Sequence, residues 1–187
     1  MIMIRTVAPT VLAVDIGLAR TSLRVDGDYL DALIAVWVQG ITRKLEHDVG
    51  QRFMDQTWEV RLPAFPGGAE PIALPHPAKE ILSAKYVDGA GADQTLPGAA
   101  FKLRLGEYTS ELIPASGANW AAASSAVDVV VTVRCGYGST AAATPETARL
   151  FILGKLVEQF DPITRTERDT VQSVYLDGLM DDLKTYA

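Results

Sequence analysis

Apolar residues recur at helical spacing in the first third of the chain, after a turn formed by Asp26, Gly27 and Asp28. The apolar stripe consists of Leu30, Leu33, Ile34, Trp37, Ile41 and Leu45. Asp26-Gly27-Asp28 supplies turn and N-cap chemistry, and this pattern predicts one helix from Asp28 to Val49, which is about 33 Å long at 1.5 Å per residue. Such a helix can form the spine of a small domain.

The first half of this helix is apolar on nearly every side. Between the stripe residues lie Ala32, Ala35, Val36 and Val38, which leave almost no polar face before Gln39. A helix that is apolar all round is buried on more than one side. The second burial has two possible sources: other helices of the same chain, which makes this a core helix, or a neighbouring subunit. The four residues are therefore candidates for a subunit interface.

The hydrophobic period changes from about four to two after this helix. Trp58, Val60 and Leu62 alternate with Glu59 and Arg61, which predicts a half-buried strand. Between residues 57 and 135 the pattern predicts six to eight short strands joined by close turns. They include Ile72–Leu74, a hairpin of 82–86 with 94–96, a second hairpin of 101–105 with 108–113, and Val127–Cys135, which is the most apolar and is expected in the middle of a sheet.

Helices are predicted on both sides of this β region. Asp15 is an expected N-cap for a short helix to about Ser22, and Thr144-Pro145 begins a helix that Asp161-Pro162 ends. A last helix presents one apolar face, formed by Tyr175, Leu176, Leu179, Met180 and Leu183. The predicted fold class is α+β: a small helical bundle of N- and C-terminal helices with an inserted antiparallel β domain, sandwich or barrel-like. The expected domains are residues 1–55 (an extended arm and helices), 56–138 (the β domain) and 139–187 (helices).

Composition restricts the function further. The 187 residues carry a net charge of -6, which argues against a protein that binds nucleic acid through the phosphate backbone. A single cysteine, Cys135, excludes an intramolecular disulfide and a CxxC metal or redox motif. No uncharged apolar run reaches the ~20 residues needed to span a bilayer.

Candidate chemistry is sparse. The sequence has no HExxH, P-loop, GxGxxG or GxSxG pattern, and it predicts no catalytic residue, metal or cofactor. Two alternatives stay open at this point. One is a small acid–base enzyme that uses His47 or His76, and the other is a β module that binds a peptide, carbohydrate or other ligand through Trp120 and Tyr137.

Several segments together resemble the head-to-tail connector (adaptor) proteins of long-tailed phages and prophages. The similar segments, in chain order, are SLRVDGDYLDALI, GQRFMDQTWEVRLPAFPGG, AKYVDGAGADQTL, PASGANW, RCGYG and TPETARLFILGKLVEQF. The chain departs from the family at Gly17 and Leu18, where members commonly carry Ala and Glu, and it matches least after Asp161.

This resemblance implies a non-enzymatic virion protein at the head-to-tail interface, made in the host bacterial cytoplasm, with gene-transfer-agent counterparts. It implies a cyclic ring of about a dozen copies below the portal protein, joined by heterologous contacts. The ring would extend the DNA channel, let DNA pass without sequence-specific binding, and offer a docking surface to a tail-side connector or stopper protein. Neither a cofactor nor a membrane is implied, and the last helix, Tyr175 to Leu183, is expected to contact the portal or the ring.

Overall fold

The computed structural model describes residues 1–115, 118–120, 126–160 and 174–184. The chain forms two compact units. We call Met1–Ala8 with Asp55–Gly136 the β unit, and Pro9–Met54 with Tyr137–Ala187 the helical unit. The described residues form four α-helices and two antiparallel sheets, so the α+β prediction is confirmed.

The β unit contains a five-stranded and a three-stranded sheet. The strands are β1 (Ile2–Val7), β2 (Gln56–Leu62), β3 (Ile72–Leu74), β4 (Ala78–Val87), β5 (Asp93–Thr95), β6 (Phe101–Leu105), β7 (Ser110–Pro114) and β8 (Val127–Cys135). The orders are β1-β2-β8-β4-β5 and β3-β7-β6, and neither sheet closes into a barrel. Buried side chains of both sheets, such as Val131 and Leu112, share one core. As predicted, the apolar strand β8 lies at the centre.

Both predicted hairpins are present. In the first, β4 pairs with β5, and Tyr86 lies opposite Gln94. The Asp88 carboxylate accepts hydrogen bonds from the backbone N–H groups of Ala90 and Ala92, each 2.9 Å long, and thereby holds the turn. The hydrogen bond from Ala92, followed by that from the Gln94 side chain, lowers the pKa of Asp88. In the second hairpin, β6 pairs with β7.

The first eight residues differ from the prediction, which grouped them with the N-terminal helices. Ile2–Val7 of this segment form strand β1, which pairs antiparallel with β2 from Ile2 opposite Arg61 to Val7 opposite Thr57. Met3 packs against the core of the β unit. A short apolar run does not reveal which distant strand it joins, because its pairing partner lies about fifty residues away in sequence.

The helical unit contains α1 (Ile16–Leu23), α2 (Asp31–Val49), α3 (Glu146–Phe160) and α4 (Val174–Leu183). Side chains from all four helices form one hydrophobic core, with Ala19, Ile34, Ile152 and Leu176 among its buried members. The predicted cap of α1 is confirmed, because Asp15 accepts hydrogen bonds from the backbone N–H groups of Gly17 and Leu18. The predicted end of α3 at Asp161-Pro162 lies outside the described residues, and α3 is described to Phe160. None of the described helices is long and apolar enough to span a membrane.

The start of α2 is three residues later than predicted. Leu30 occupies the N-cap position without a capping hydrogen bond from its side chain, so the prediction that the Asp26-Gly27-Asp28 segment supplies the N-cap is wrong. The Asp28 carbonyl instead accepts a hydrogen bond from the Asp31 N–H within the preceding turn. Asp31 forms an ion pair of 3.2 Å with Arg20 of α1, which joins the start of α2 to its neighbour. Its carboxylate also lies in the first turn, where the helix dipole favours negative charge.

Candidate subunit interface

The structure separates a buried face of α2 from an exposed face. The helix buries Ile34, Val38, Leu45 and Val49 in the core of its own subunit. Val38, one of the four predicted interface residues, is 0% exposed and is therefore unavailable to a neighbour. Leu33 differs from the prediction in the opposite direction. It was assigned to the apolar stripe that faces the core, but its side chain is 43% exposed. The broad apolar pattern identified the helix correctly, whereas its orientation depends on the helices that pack against it.

The exposed face carries a regular line of residues, which we call the α2 seam. Its members are Leu33, Val36, Gly40, Arg43 and His47, separated by three, four, three and four positions. All five are exposed, and the Val36 side chain is 63% exposed. Tyr29, in the turn before the helix, is also exposed. Of the other predicted interface residues, Ala32 is exposed beside the seam and Ala35 is half-buried at its edge. Alternating steps of three and four keep residues on one narrow stripe of a helix, the arrangement used in helix–helix packing.

Helix α4 holds the second set of predicted contact residues, and most of them face inward. Leu176 and Leu183 are buried in the core, while Leu179 and Met180 are half-buried against it. A Cβ atom added at Gly154 of α3 would lie 2.6 Å from the Leu176 side chain, so α3 and α4 approach closely. Tyr175 is 63% exposed, so it alone of the five points mainly to solvent.

Neither histidine lies in an arrangement that indicates catalysis. His47 is an exposed residue of α2. His76 is buried in the β unit, where its Nδ1 lies 3.0 Å from Ser110 Oγ. The same Ser110 oxygen accepts a hydrogen bond of 2.9 Å from the Ala78 N–H, so His76 helps to join the segment before β4 to β7. Over the described ranges, no three His, Cys, Asp or Glu side chains are grouped to hold a metal ion.

The pH dependence of stability provides a test of this structural role for His76. Burial lowers the pKa of His76 below its usual value of about 6.5, although hydrogen bonds to the backbone of Thr109 and Glu107 oppose the shift. As the pH falls through about 6.5, the unfolded chain therefore takes up a proton before the folded chain does, and the folded state loses stability. The expected loss is about 1.4 kcal/mol for each unit by which the folded pKa lies below the unfolded one.

Urea unfolding at pH 7.5 and pH 5.5, followed by circular dichroism, measures this loss. The matched control is His76→Gln, which keeps a polar side chain but does not titrate. We expect the wild type to lose more stability than the variant between the two pH values. An equal loss in both proteins would contradict the assignment to His76.

The two aromatic residues proposed as ligand anchors have different environments. Trp120 is buried and stacks on Phe65, with ring centroids 5.2 Å apart and planes 12° apart. Its Nε1–H donates a hydrogen bond of 2.9 Å to the Glu70 carbonyl. Trp120 is therefore not available as an anchor for a ligand, as the alternative of a ligand-binding β module requires. Tyr137 belongs to the helical unit, where its hydroxyl donates a 2.7 Å hydrogen bond to Gln51 Oε1.

Solved structures of the gene transfer agent (GTA) particle contain chains with a similar fold. The virion of the native GTA particle includes a chain with a TM-score of 0.81 and 17% identity. For the neck of the empty GTA particle computed with C6 symmetry the values are 0.77 and 17%, and for the neck of the native GTA particle computed with C12 symmetry they are 0.75 and 18%. Each alignment covers 100% of this chain and 97% of the other. Neither a protein-family model nor a curated protein sequence matches significantly. At this identity, the likeness establishes the shared fold.

The helical unit also contains a cavity that the sequence did not predict. Its volume is about 330 Å³, and it lies between α2 and α3 with Ile41 and Phe151 in its lining. Its lysines are paired within their own helices, Lys44 with Asp48 at 2.9 Å and Lys155 with Glu158 at 3.0 Å. The charges of this cavity are therefore already balanced, and nothing in its lining selects a particular ligand.

Proposed function

We propose that the protein is a non-enzymatic structural component of a phage-like virion, the ring-forming adaptor between head and tail. The observation that carries this proposal is the similarity of fold over the whole chain to chains of the GTA particle and its neck. The cyclic symmetry named for those necks fits a ring subunit. The order of the segments that resemble connector proteins supports the same role.

Ring formation requires a surface that a neighbouring copy can cover. The α2 seam is such a surface, because it exposes the apolar side chains of Leu33 and Val36 on one face of a helix, after the exposed Tyr29 of the preceding turn. Exposed apolar patches commonly mark protein–protein contacts. We assign Val36 and Ala32 to the subunit contact and Ala35 to its margin.

The net charge of the chain supports a channel whose wall does not bind the DNA that passes through it. A net charge of -6 repels phosphates, which favours free passage of DNA over sequence-specific or electrostatic binding. In this role the ring sits below the portal protein, extends its channel, and offers its other side to a tail-side connector or stopper protein. The protein is then made in the bacterial host cytoplasm and resides in the virion, in a phage, prophage or GTA particle.

Native mass spectrometry and electron microscopy of the purified protein, alone and with the portal protein, test this function. We expect a closed ring of about a dozen copies on the portal, since cyclic assemblies use one repeated heterologous contact. A monomer in isolation that forms a ring on the portal also supports the proposal. A protein that stays monomeric and ignores the portal would refute it.

The alternative of a ligand-binding β module has lost its main support. Its proposed anchor Trp120 is buried against Phe65, and Tyr137 belongs to the other unit.

A further inference from the structure

Helix α4 carries an exposed line of residues opposite its buried face. Tyr175, Gly178 and Asp182 are separated by three and four positions, and all three are exposed. We call this line the α4 seam. Its spacing is the same as that of the α2 seam, so each helix presents one narrow stripe to solvent.

The two seams are complementary along their lengths. From its N-terminus, the α2 seam is first apolar, at Leu33 and Val36, and then has Gly40, the basic residue Arg43 and, one turn later, His47. The α4 seam begins with Tyr175, continues with Gly178 and ends with Asp182, beside which Asp181 is also exposed. Each seam therefore has an apolar beginning and a charged end, and the charges have opposite sign.

Both seams also contain a position that allows close approach. A Cβ atom added at Gly40 or at Gly178 would meet no atom within 4 Å, so the surface is open at both glycines. A gap of this kind can receive the side chain of a facing helix, as a hole receives a knob in a coiled coil.

We propose that the α2 seam of one subunit packs in parallel against the α4 seam of the next. This inference rests on the proposed ring function and supplies the two faces that a heterologous contact needs. One register places apolar residues against apolar residues and the acidic residue near the basic one. In it, Tyr175 lies against Leu33 of the neighbouring subunit, and Val36 of that subunit packs into the gap at Gly178. Asp182 then lies beside Gly40, and its carboxylate reaches Arg43.

Other arrangements of these seams match less well. An antiparallel pairing of α2 with α4 would place Asp182 against Leu33 and bury a carboxylate that has the Thr147 hydroxyl as a hydrogen-bond donor but no basic partner. A symmetric contact between two α2 seams would set Arg43 against its own copy if parallel, or against the apolar half if antiparallel. The parallel α2–α4 contact alone joins apolar with apolar and acid with base.

A disulfide test between copies can identify the contact. Cys135, the single native cysteine, is buried, so cysteines introduced at the surface report selectively. One preparation carries Leu33→Cys, a second carries Tyr175→Cys together with an affinity tag that changes its mass, and both are assembled on the portal protein under mild oxidation. A disulfide needs Cα atoms within about 7 Å of each other. We expect a cross-linked heterodimer in the mixture and no cross-linked dimer in either preparation alone.

Charge reversal supplies a second, independent measurement. Arg43→Glu and Asp182→Arg are each expected to weaken ring assembly by roughly tenfold, since like charges then face each other. A chain that carries both reversals is expected to assemble as the wild type does, because the pair is restored with its signs exchanged. Thermal unfolding of the monomers checks that each variant folds.

The outcomes separate this inference from the proposed function. The heterodimer together with rescue by the double reversal supports the α2–α4 contact. Rings that form on the portal without that cross-link, and without any effect of the reversals, refute the contact and leave the adaptor function standing. A cross-linked dimer in the preparation that contains only the Leu33→Cys protein refutes the α2–α4 contact and supports a symmetric contact between two α2 helices. If the wild type forms no ring even with portal, the adaptor function fails and the contact fails with it.

Discussion

Replacing Val36 by aspartate is expected to abolish ring assembly while the monomer still folds. Val36 is 63% exposed on the α2 seam, so the new carboxylate is hydrated in the free subunit. In a ring the same carboxylate would be buried in an apolar contact without a partner, which costs several kcal/mol at each interface. The expected change in monomer stability is within about 0.5 kcal/mol, as for most surface substitutions. Native mass spectrometry with the portal protein measures assembly, and thermal unfolding measures stability.

Val38→Asp is the matched control for this experiment. The chemical change is the same and the position is only two residues further along α2, but Val38 is 0% exposed in the subunit core. We expect it to destabilise the monomer by more than about 4 kcal/mol, because an unpaired charge is placed in an apolar interior. A Val36→Asp protein that assembles normally, or that unfolds as Val38→Asp does, would remove the α2 seam from the ring contact.

The contrast between these two valines shows what a hydrophobic pattern can predict. Regular spacing predicted that residues 31–49 are helical and that the period changes to two before β2. The sequence also predicted the Asp15 N-cap of α1 correctly, because its hydrogen bonds join residues two and three positions apart. These features depend on residues only a few positions apart, so the local sequence is sufficient to predict them.

Features that depend on distant residues were predicted less well. The side of α2 that faces the core depends on residues such as Ile152 and Leu156, more than a hundred positions away in α3, because the first half of α2 is apolar on nearly every side. The pairing of β1 with β2 and the burial of Trp120 have the same origin, since the partner of each lies some fifty residues away. For the candidate interface, the sequence located the helix correctly, and the structure was required to choose the residues on it.

Trp120 is the subject of the other large expected effect, on the stability of the β unit. Its ring stacks on Phe65, its Nε1–H donates to the Glu70 carbonyl, and it belongs to the buried core of this unit. Trp120→Ala removes the stacking and the hydrogen bond and leaves a cavity. The expected loss is about 3–5 kcal/mol in the free energy of unfolding, as for other large aromatic residues in cores. Urea unfolding followed by circular dichroism measures it.

Trp120→Phe is the control that separates the two contributions. Phenylalanine retains an aromatic ring to stack on Phe65 but cannot donate to the Glu70 carbonyl, so this variant loses one hydrogen bond and leaves a smaller void. We expect it to lose about 1–3 kcal/mol, which is less than the alanine variant loses. If Trp120→Ala were as stable as the wild type, the ring would not be a core residue, and a role for Trp120 in binding a ligand would again be the better explanation. A graded loss, largest for alanine, supports the stack on Phe65 as a structural centre of the β unit.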